Sequence, residues 1–201
     1  MSFDQRLVLV RHGRTAWNAE GRFQGQADPP LDGTGWEQAR RTAREIAGFR
    51  PEAIISSDLR RAHQTAVMLG VTCGLVPSTD PGLREVALGA WEGLRRAEAA
   101  VCFPAEYAAW VDGADVRRGG GETQAEAGAR VAATVLGYLW RGGMNRTIVI
   151  VSHGLALQGA MRVLARSGLV GLDAAAPHLG NGEWIEVGLW PATRTGSGYA
   201  A

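Results

Sequence analysis

Two histidines in this sequence each lie one polar residue beyond a short run of mostly apolar residues. Arg11-His12-Gly13 comes after Leu7-Val8-Leu9-Val10, and Ser152-His153-Gly154 comes after Thr147-Ile148-Val149-Ile150-Val151. A neutral imidazole can serve as a nucleophile, a base or a hydrogen-bond donor near neutral pH. Because the carboxyl ends of parallel strands meet at one edge of a sheet, both imidazoles are expected to face one cleft.

The arginines near these histidines are suited to binding phosphate. Arg11 adjoins His12, and Arg61 lies in a second polar segment, Ser56–Ala66. A guanidinium stays charged at any working pH and offers a planar fork to phosphate oxygens. Because a nearby positive charge disfavours the imidazolium, the two arginines are expected to lower the pKa of His12 and leave it neutral. Fixed positive charge around a phosphate and a neutral imidazole lone pair are what an attack on a phosphate monoester would need.

Five segments, in order along the chain, resemble the signature of the histidine phosphatase superfamily (phosphoglycerate mutase-like, branch 1). They are Leu9-Val10-Arg11-His12-Gly13-Arg14-Thr15 with Asn18, Phe23-Gln24-Gly25 with Asp28 and Pro30-Leu31, Ser56–Ala66, Leu83-Arg84-Glu85 with Trp91-Glu92-Gly93, and Gly120-Gly121-Glu122 before Val151-Ser152-His153-Gly154. The segments Ser56–Ala66 and Gly180–Trp184 resemble those of the actinobacterial glucosyl-3-phosphoglycerate phosphatases within this superfamily.

The resemblance implies a phosphomonoester hydrolase acting on a small phosphorylated metabolite of the sugar phosphate or phosphoglycerate type. His12 would carry the phosphoryl group as a phosphohistidine, with Arg11 and Arg61 holding the phosphate oxygens. His153 would donate to the same oxygens, and Glu85 would protonate the leaving group and then activate water. No metal and no cofactor is implied.

A second set of residues would bind the substrate without reacting with it. By resemblance these are Asn18, Gln24, Gly25 and Gly154. His178 lies in a Pro/Gly-rich loop that could border the substrate, whereas His63 is interpreted as a solvated helix residue. Trp91, Trp110 and Trp184 are interpreted as packing residues, although Trp184 could face the cleft.

Three other functions stay open from the sequence. A mutase of the same family would return the phosphoryl group to another oxygen. The resemblance disfavours a mutase, because family mutases carry a longer insertion with a lysine, whereas this chain has a shorter stretch and no lysine. Family mutases also usually have a serine at the position of Gln24. A phospholigand-binding protein without catalysis is disfavoured, because the chain has a complete set of nucleophile, acid and phosphate-binding arginines. These two arginines, Arg11 and Arg61, are called the clamps. A metal hydrolase is weaker still, because the four histidines include no i, i+4 pair.

Apolar runs of strand length alternate along the chain with amphipathic segments of helix length. Strands are predicted at 7–10, 53–56, 75–76, 147–151 and 184–189, and helices at about 34–48, 59–69, 105–111, 123–140 and 156–167. Ser57 or Asp58 is expected to cap the second helix and Gly70 to end it. The alternation indicates an α/β fold: a three-layer α/β/α sandwich with a mostly parallel central sheet, helices on both faces and a lid-like insertion.

One domain is expected for residues 1–201, with a lid or substrate-selecting insertion at about 77–121 and a flexible tail at about 194–201. The formal net charge is +1, and all 21 basic residues are arginines, so phosphate loops and Schiff bases that need a lysine are excluded. Two cysteines, Cys73 and Cys102, are too few for a disulfide framework. The N-terminal residues do not have the pattern of a secretory signal, so a cytoplasmic protein is expected. The expected partner is a small phosphorylated substrate, with no nucleic acid, no membrane and a possible homodimer.

Overall fold

A five-stranded mixed sheet lies at the centre of the computed structural model, which describes residues 5–141, 146–168 and 176–188. Its strands are β1 (Arg6–Arg11), β2 (Ala53–Ser56), β3 (Ser78–Thr79), β4 (Thr147–Ser152) and β5 (Trp184–Gly188), and the spatial order is β3-β2-β4-β1-β5. All neighbouring pairs are parallel except β1 with β5. Leu189, the last residue of the predicted final strand, and the predicted tail lie outside the described residues.

The alternation of side chains along β1 and β4 divides the core into two halves. Leu7 and Leu9 join the core on one face of the sheet, and Val8 and Val10 join the core on the other. All six residues of β4 are buried, because helices cover both faces of this central strand. The predicted uninterrupted β-branched run is therefore found where a parallel strand has no solvent-exposed side.

Seven helices surround the sheet within the described residues. They are α1 (Ala16–Ala19), α2 (Gly33–Ala47), α3 (Arg60–Cys73), α4 (Arg96–Cys102), α5 (Pro104–Val111), α6 (Gln124–Arg141) and α7 (Gly154–Arg166). Helices α2 and α3 pack on one face of the sheet, and α6 and α7 pack on the other. The predicted α/β/α sandwich is confirmed.

The closest helix contact joins α6 to α7 at a pair of glycines. A Cβ atom built on Gly128 would lie 2.5 Å from the carbonyl carbon of Gly159. Side chains at these positions would force the two backbones apart, so the pairing of α6 with α7 depends on glycine here. This pairing sets where the first turn of α7 lies at the sheet edge.

The insertion predicted at 77–121 contains its own small core. Trp91 is fully buried and packs with Val86, Leu88 and Ala99 beneath α4 and α5. Helix α5 agrees with the predicted helix at 105–111, whereas α4 was not expected, because its sequence shows little apolar periodicity. The function of this segment as a lid remains a prediction.

Three local predictions around α3 are wrong. The third strand is Ser78–Thr79 rather than Leu75–Val76, because the Leu75 amide donates to the Gly70 carbonyl at 2.9 Å and closes the end of α3. Gly70 does not end the helix, which continues to Cys73 and ends at Gly74 in the left-handed conformation (φ +70°).

The predicted cap at the start of α3 is also wrong. The N-cap is Leu59, and no side-chain cap is formed there by Ser57 or Asp58. Asp58 instead forms an ion pair with Arg84, and the Asp28 carboxylate accepts from the Arg60 amide at 2.6 Å. A carboxylate distant in sequence therefore satisfies the helix end, which local spacing could not indicate.

Among the helices of the described residues, none is both long enough and apolar enough to cross a membrane.

Candidate active site

His12 lies immediately beyond the carboxyl end of β1 and is 2% exposed. Its ring Nδ1 lies 2.7 Å from the Gly13 carbonyl oxygen, an acceptor only, so Nδ1 carries the proton. The Nε2 atom then carries the ring's lone pair, which accepts from Arg61 Nε at 3.3 Å. The backbone thus holds His12 in the tautomer whose Nε2 can attack an electrophile.

His153 stands beside His12 because of the sheet register. Arg11 pairs with Ser152 in the parallel ladder, so the next residue of each strand, a histidine, leaves the sheet at the same level. The two rings are 5.1 Å apart between centroids and meet edge to face. His153 is fully buried, and neither ring nitrogen has a hydrogen-bond partner in the described structure, so its N–H group is not committed to another protein group.

Arg61 is held against His12 by two backbone carbonyls. From the first turn of α3 it donates through Nη1 to Ala27 at 2.7 Å and through Nη2 to Gly25 at 2.8 Å. Burial lowers the pKa of Arg61 to about 10, which still leaves it charged at neutral pH. Two neutral acceptors therefore fix the guanidinium without cancelling its charge.

Arg11 lies on the other side of the site, at the end of β1. Its Nη1 donates to the Leu179 carbonyl at 2.6 Å and lies 3.3 Å from His178 Nε2, while its Nε is buried without a partner in the described structure. A Cβ atom on Gly154 would lie 3.1 Å from Arg11 Cζ, so the glycine leaves room for the guanidinium. His178 reaches the site through Arg11, and Gly154 is placed to position Arg11.

Burial is the main cause of the lowered pKa of both histidines. For His12 the pKa lies well below 6.5 because of burial first, then because of Arg61 and Arg11. For His153 the order is burial, Arg61, His12 and Arg11. The expected direction for His12 is found, but the cause assigned from the sequence, the arginines, is secondary to desolvation.

The Thr15 hydroxyl contacts the side-chain amides of both Asn18 and Gln24. Thr15 Oγ1 lies 3.1 Å from Asn18 Oδ1 and 3.0 Å from Gln24 Oε1, and the Thr15 amide also donates to Asn18 Oδ1 at 3.1 Å. These contacts occupy the amide oxygen of Asn18. Its Nδ2 group has no partner among the described residues and is left as the donor for a ligand.

Gly25 contributes through its carbonyl rather than through the amide that the sequence suggested for an anion. The carbonyl accepts from Arg61, and the residue adopts a positive φ of 53°. Any Cβ atom here would lie 2.2 Å from Glu92 Oε1, so only glycine fits. Gly25 therefore helps to hold the guanidinium of Arg61 in place.

The Glu85 side chain contacts the backbone of the first turn of α7. Its carboxylate accepts from the amides of Val86, Leu155 and Ala156 at 3.0, 3.3 and 2.8 Å. The charge of Glu85 acts on both Arg11 and Arg61, so the carboxylate lies within electrostatic reach of the clamps. The structure thus brings Glu85 to the edge of the site through the first turn of α7.

Three supporting residues carry no role in the sequence interpretation. Thr65 Oγ1 accepts from the Gly13 amide at 3.1 Å, and Asn181 Nδ2 donates to the His12 carbonyl at 3.1 Å. Arg130 of α6 donates to the carbonyls of Arg84 and Glu85 at 3.1 and 3.3 Å. Thr65 lies in a motif segment, but Arg130 looks in sequence like a surface residue of an amphipathic helix.

Two other candidate residues lie apart from the histidine pair. His63 borders a shallow apolar groove with Val67 and Val76. Trp184 packs on Phe49 and donates to Glu45 at 2.6 Å, so it is a packing residue and does not face the cleft. Within the described ranges, no cluster of three or more His, Cys, Asp or Glu side chains could hold a metal ion.

Comparisons with known proteins identify the family of this chain. The family model described as the histidine phosphatase superfamily (branch 1) matches residues 7–195. Glucosyl-3-phosphoglycerate phosphatase of Mycobacterium tuberculosis is 37% identical over 194 residues, covering 92% of this chain and 86% of that protein. A probable phosphoglycerate mutase of Yersinia pestis is 38% identical over 175 residues, covering 85% and 77%.

A solved structure extends the likeness to three dimensions. Mycobacterial glucosyl-3-phosphoglycerate phosphatase in complex with VO3 superposes with a TM-score of 0.77 at 35% identity, covering 94% of this chain and 99% of that one. The match spans both histidine-bearing strand ends and the segments between them. With the paired imidazoles and the guanidinium clamp, it shows that this chain belongs to the histidine phosphatase superfamily (branch 1).

Proposed function

We propose that this protein is a phosphomonoester hydrolase that acts on a small phosphorylated metabolite through a phosphohistidine at His12. The observation that carries the proposal is the neutral His12 ring, whose Nε2 lone pair lies 3.3 Å from the fixed guanidinium of Arg61. A phosphate held by that guanidinium would have its phosphorus close to the lone pair. Positioning of this kind supplies most of the catalysis in phosphoryl transfer.

In the first step His12 Nε2 forms a bond to phosphorus as the ester P–O bond breaks. Arg11 and Arg61 bind the non-bridging oxygens, and His153 and the Asn18 amide donate to the charge that the transition state spreads over them. Glu85 gives a proton to the leaving oxygen, so the alcohol departs neutral. In the second step Glu85 takes a proton from water, and the water oxygen bonds to phosphorus as the bond between phosphorus and His12 Nε2 breaks. Inorganic phosphate leaves, and His12 returns to its starting state.

Hydrolysis is preferred to mutase chemistry for this chain. The relatives include both a phosphatase and a probable mutase, so similarity alone does not separate the two reactions. The chain has no lysine to hold phosphoglycerate, and Gln24 stands where family mutases usually have serine. The names of both relatives refer to phosphoglycerates, which supports a substrate of the phosphoglycerate or sugar phosphate type.

The test is kcat/KM measured with a chelator present, first on 4-nitrophenyl phosphate and then on a panel of sugar phosphates and phosphoglycerates. The wild-type protein should release phosphate, and His12→Ala should lose at least about a thousandfold in turnover while remaining folded. His63→Ala is the matched control, because it removes an imidazole that lies apart from the histidine pair. Activity that disappears with chelator and returns with zinc would contradict the proposal, and so would unchanged turnover of His12→Ala.

A further inference from the structure

The His12 ring is joined to helix α2 by two hydrogen bonds in series. Its Nδ1–H group donates to the Gly13 carbonyl at 2.7 Å, and the Arg14 amide donates to Gln38 Oε1 at 2.7 Å. The Gly13 carbonyl and the Arg14 amide belong to one planar peptide group, in which they point in opposite directions. The imidazole and the Gln38 side chain therefore contact the two ends of the same rigid unit.

The start of α2 holds the loop that contains this peptide group. The Arg14 carbonyl accepts from the Asp32 amide at 3.0 Å, and the Arg14 guanidinium donates to Asp32 Oδ2 and to Thr34 Oγ1, each at 2.8 Å. A Cβ atom on Gly13 would lie 2.4 Å from the Gly35 carbonyl oxygen, so the loop and the helix meet without a side chain between them. These contacts fix the orientation of the chain that follows His12.

Gln38 itself is half-buried on the side of α2 that packs on Gly182. A Cβ atom on Gly182 would lie 2.8 Å from Gln38 Cβ. The Gly182 amide donates to the His12 carbonyl at 3.1 Å, and Thr42 Oγ1, one turn along α2 from Gln38, donates to the Gly182 carbonyl at 2.6 Å. Helix α2 therefore holds His12 through two routes, the loop after it and Gly182.

The position of the imidazole proton decides whether His12 Nε2 can act as a nucleophile. In a neutral histidine one ring nitrogen carries the proton, and the hydrogen bond made by that nitrogen sets the role of the other. Nε2 accepts from Arg61 Nε at 3.3 Å, which favours the same tautomer. A phosphate bound by Arg61 would compete with Nε2 for the guanidinium. The bond from Nδ1 to the Gly13 carbonyl would then be the contact that keeps the proton away from Nε2.

Hydrogen bonds in series polarise one another through a peptide group. When the N–H end donates to an acceptor, electron density shifts toward the carbonyl oxygen, because the two ends of the group are conjugated. The Arg14 N–H can only donate, so the Gln38 atom that it meets is the side-chain oxygen. The Gly13 oxygen is therefore a better acceptor for the His12 proton than it would be without Gln38.

We infer that Gln38 is a positioning residue for the reaction at His12: through the Gly13–Arg14 peptide group it keeps the imidazole proton on Nδ1 and the lone pair on Nε2. This inference rests on the proposed function, because a nucleophilic His12 needs its lone pair at Nε2. Gln38 acts through the backbone, whereas the clamps are held by other carbonyl groups. Loss of its oxygen should therefore slow formation of the phosphohistidine and leave phosphate binding unchanged.

The test compares two substitutions of Gln38 that differ in whether an acceptor oxygen remains. Gln38→Met has a side chain of similar length without that oxygen, and Gln38→Glu retains one. We expect Gln38→Met to lower the single-turnover rate of phosphohistidine formation from 4-nitrophenyl phosphate about tenfold, with the inhibition constant of inorganic phosphate unchanged. Gln38→Glu should stay within about threefold of the wild-type rate. Glu37→Met, at an exposed position of the same helix, is the control and should match the wild type.

A second measurement observes the hydrogen bond itself, as the proton resonance of His12 Nδ1–H in protein labelled with ¹⁵N-histidine. The signal is assigned by its absence from His12→Ala. It should move upfield in Gln38→Met, where the bond weakens, and downfield in Gln38→Glu, where a carboxylate is the stronger acceptor. The Gln38→Glu shift decides the question if Gln38→Met does not fold.

Three results would overturn the inference and leave the hydrolase proposal standing. They are a wild-type rate in Gln38→Met, an equal fall in rate in Gln38→Met and Gln38→Glu, and an Nδ1 proton resonance that is the same in every folded variant. A wild-type protein that hydrolyses no phosphate ester would reject the hydrolase proposal and the inference together.

Discussion

Acidification should destabilise this protein through its two buried imidazoles. His12 and His153 are at most 2% exposed, and both have a pKa well below 6.5 in the folded state. The unfolded chain therefore binds protons at these positions that the native state does not bind. Because the unfolded state then holds more protons, the free energy of unfolding must fall as the pH drops below 6.5.

The magnitude follows from the proton count. A histidine that titrates only in the unfolded chain costs about 1.4 kcal/mol between about pH 7.5 and about pH 5.5. His12 and His153 together should therefore cost about 2.7 kcal/mol over this range. Carboxylates with a lowered pKa, such as Asp58 and Glu122, lose their protons at lower pH and do not titrate here.

Urea unfolding followed by tryptophan fluorescence measures this cost directly. The comparison is between the wild-type protein, the double variant His12→Asn/His153→Asn and the control His63→Asn, each at both pH values. The wild type and the control should lose about 2.7 kcal/mol more than the double variant on acidification. If the double variant and the wild type lose the same amount, the two imidazoles are not held neutral by the fold, and the reasoning fails.

Three further predictions concern the acid, the clamp and the helix pair. Glu85→Gln should reduce kcat for alkyl phosphates far more than for aryl phosphates, whose leaving groups need no proton, and equal losses would assign the acid elsewhere. Arg61→Lys should lower kcat/KM at least about a hundredfold, because an ammonium cannot reproduce the guanidinium's two carbonyl bonds while facing phosphate; activity near the wild-type value would show that any cation suffices. Gly128→Ala should lower the free energy of unfolding by about 2 kcal/mol in urea titrations, since its Cβ meets Gly159, whereas Gly137→Ala on the same helix should be neutral or stabilising. Equal effects of the two alanine variants would contradict the close approach.

The sheet and the positions of the two histidines could be predicted because local patterns determine them. A β-branched run such as 147–151 specifies a buried parallel strand, and a polar residue that ends such a run must emerge at the sheet edge. The sequence thus predicted that both histidines face one cleft, whereas the pairing of β1 with β4 that sets His12 beside His153 is seen only in the folded sheet. The family resemblance added the identity of the clamps and of Glu85, which spacing alone does not indicate.

The sequence was least informative where distant residues complete a local structure. The Asp28 carboxylate, rather than a neighbouring side chain, accepts from the Arg60 amide at the start of α3. Gly70 does not end the helix; it leaves room for the Leu75 carbonyl oxygen, which would lie 2.5 Å from a Cβ atom at this position. The cause of the lowered His12 pKa is likewise tertiary, since the extent of burial depends on how the layers close over the ring. A cavity lined by Arg118, Gln124 and Arg162 joins residues from the insertion, α6 and α7, so no sequence window could reveal it.

The central claim is that His12 carries the phosphoryl group. The most direct measurement mixes the enzyme with a ³²P-labelled phosphate monoester, quenches within one turnover and locates the label after proteolysis. We expect a label that is labile in acid, stable in alkali, confined to the peptide containing His12 and absent from His12→Ala. A turning-over enzyme that yields no labelled peptide, or one that carries the label on another residue, would contradict the account.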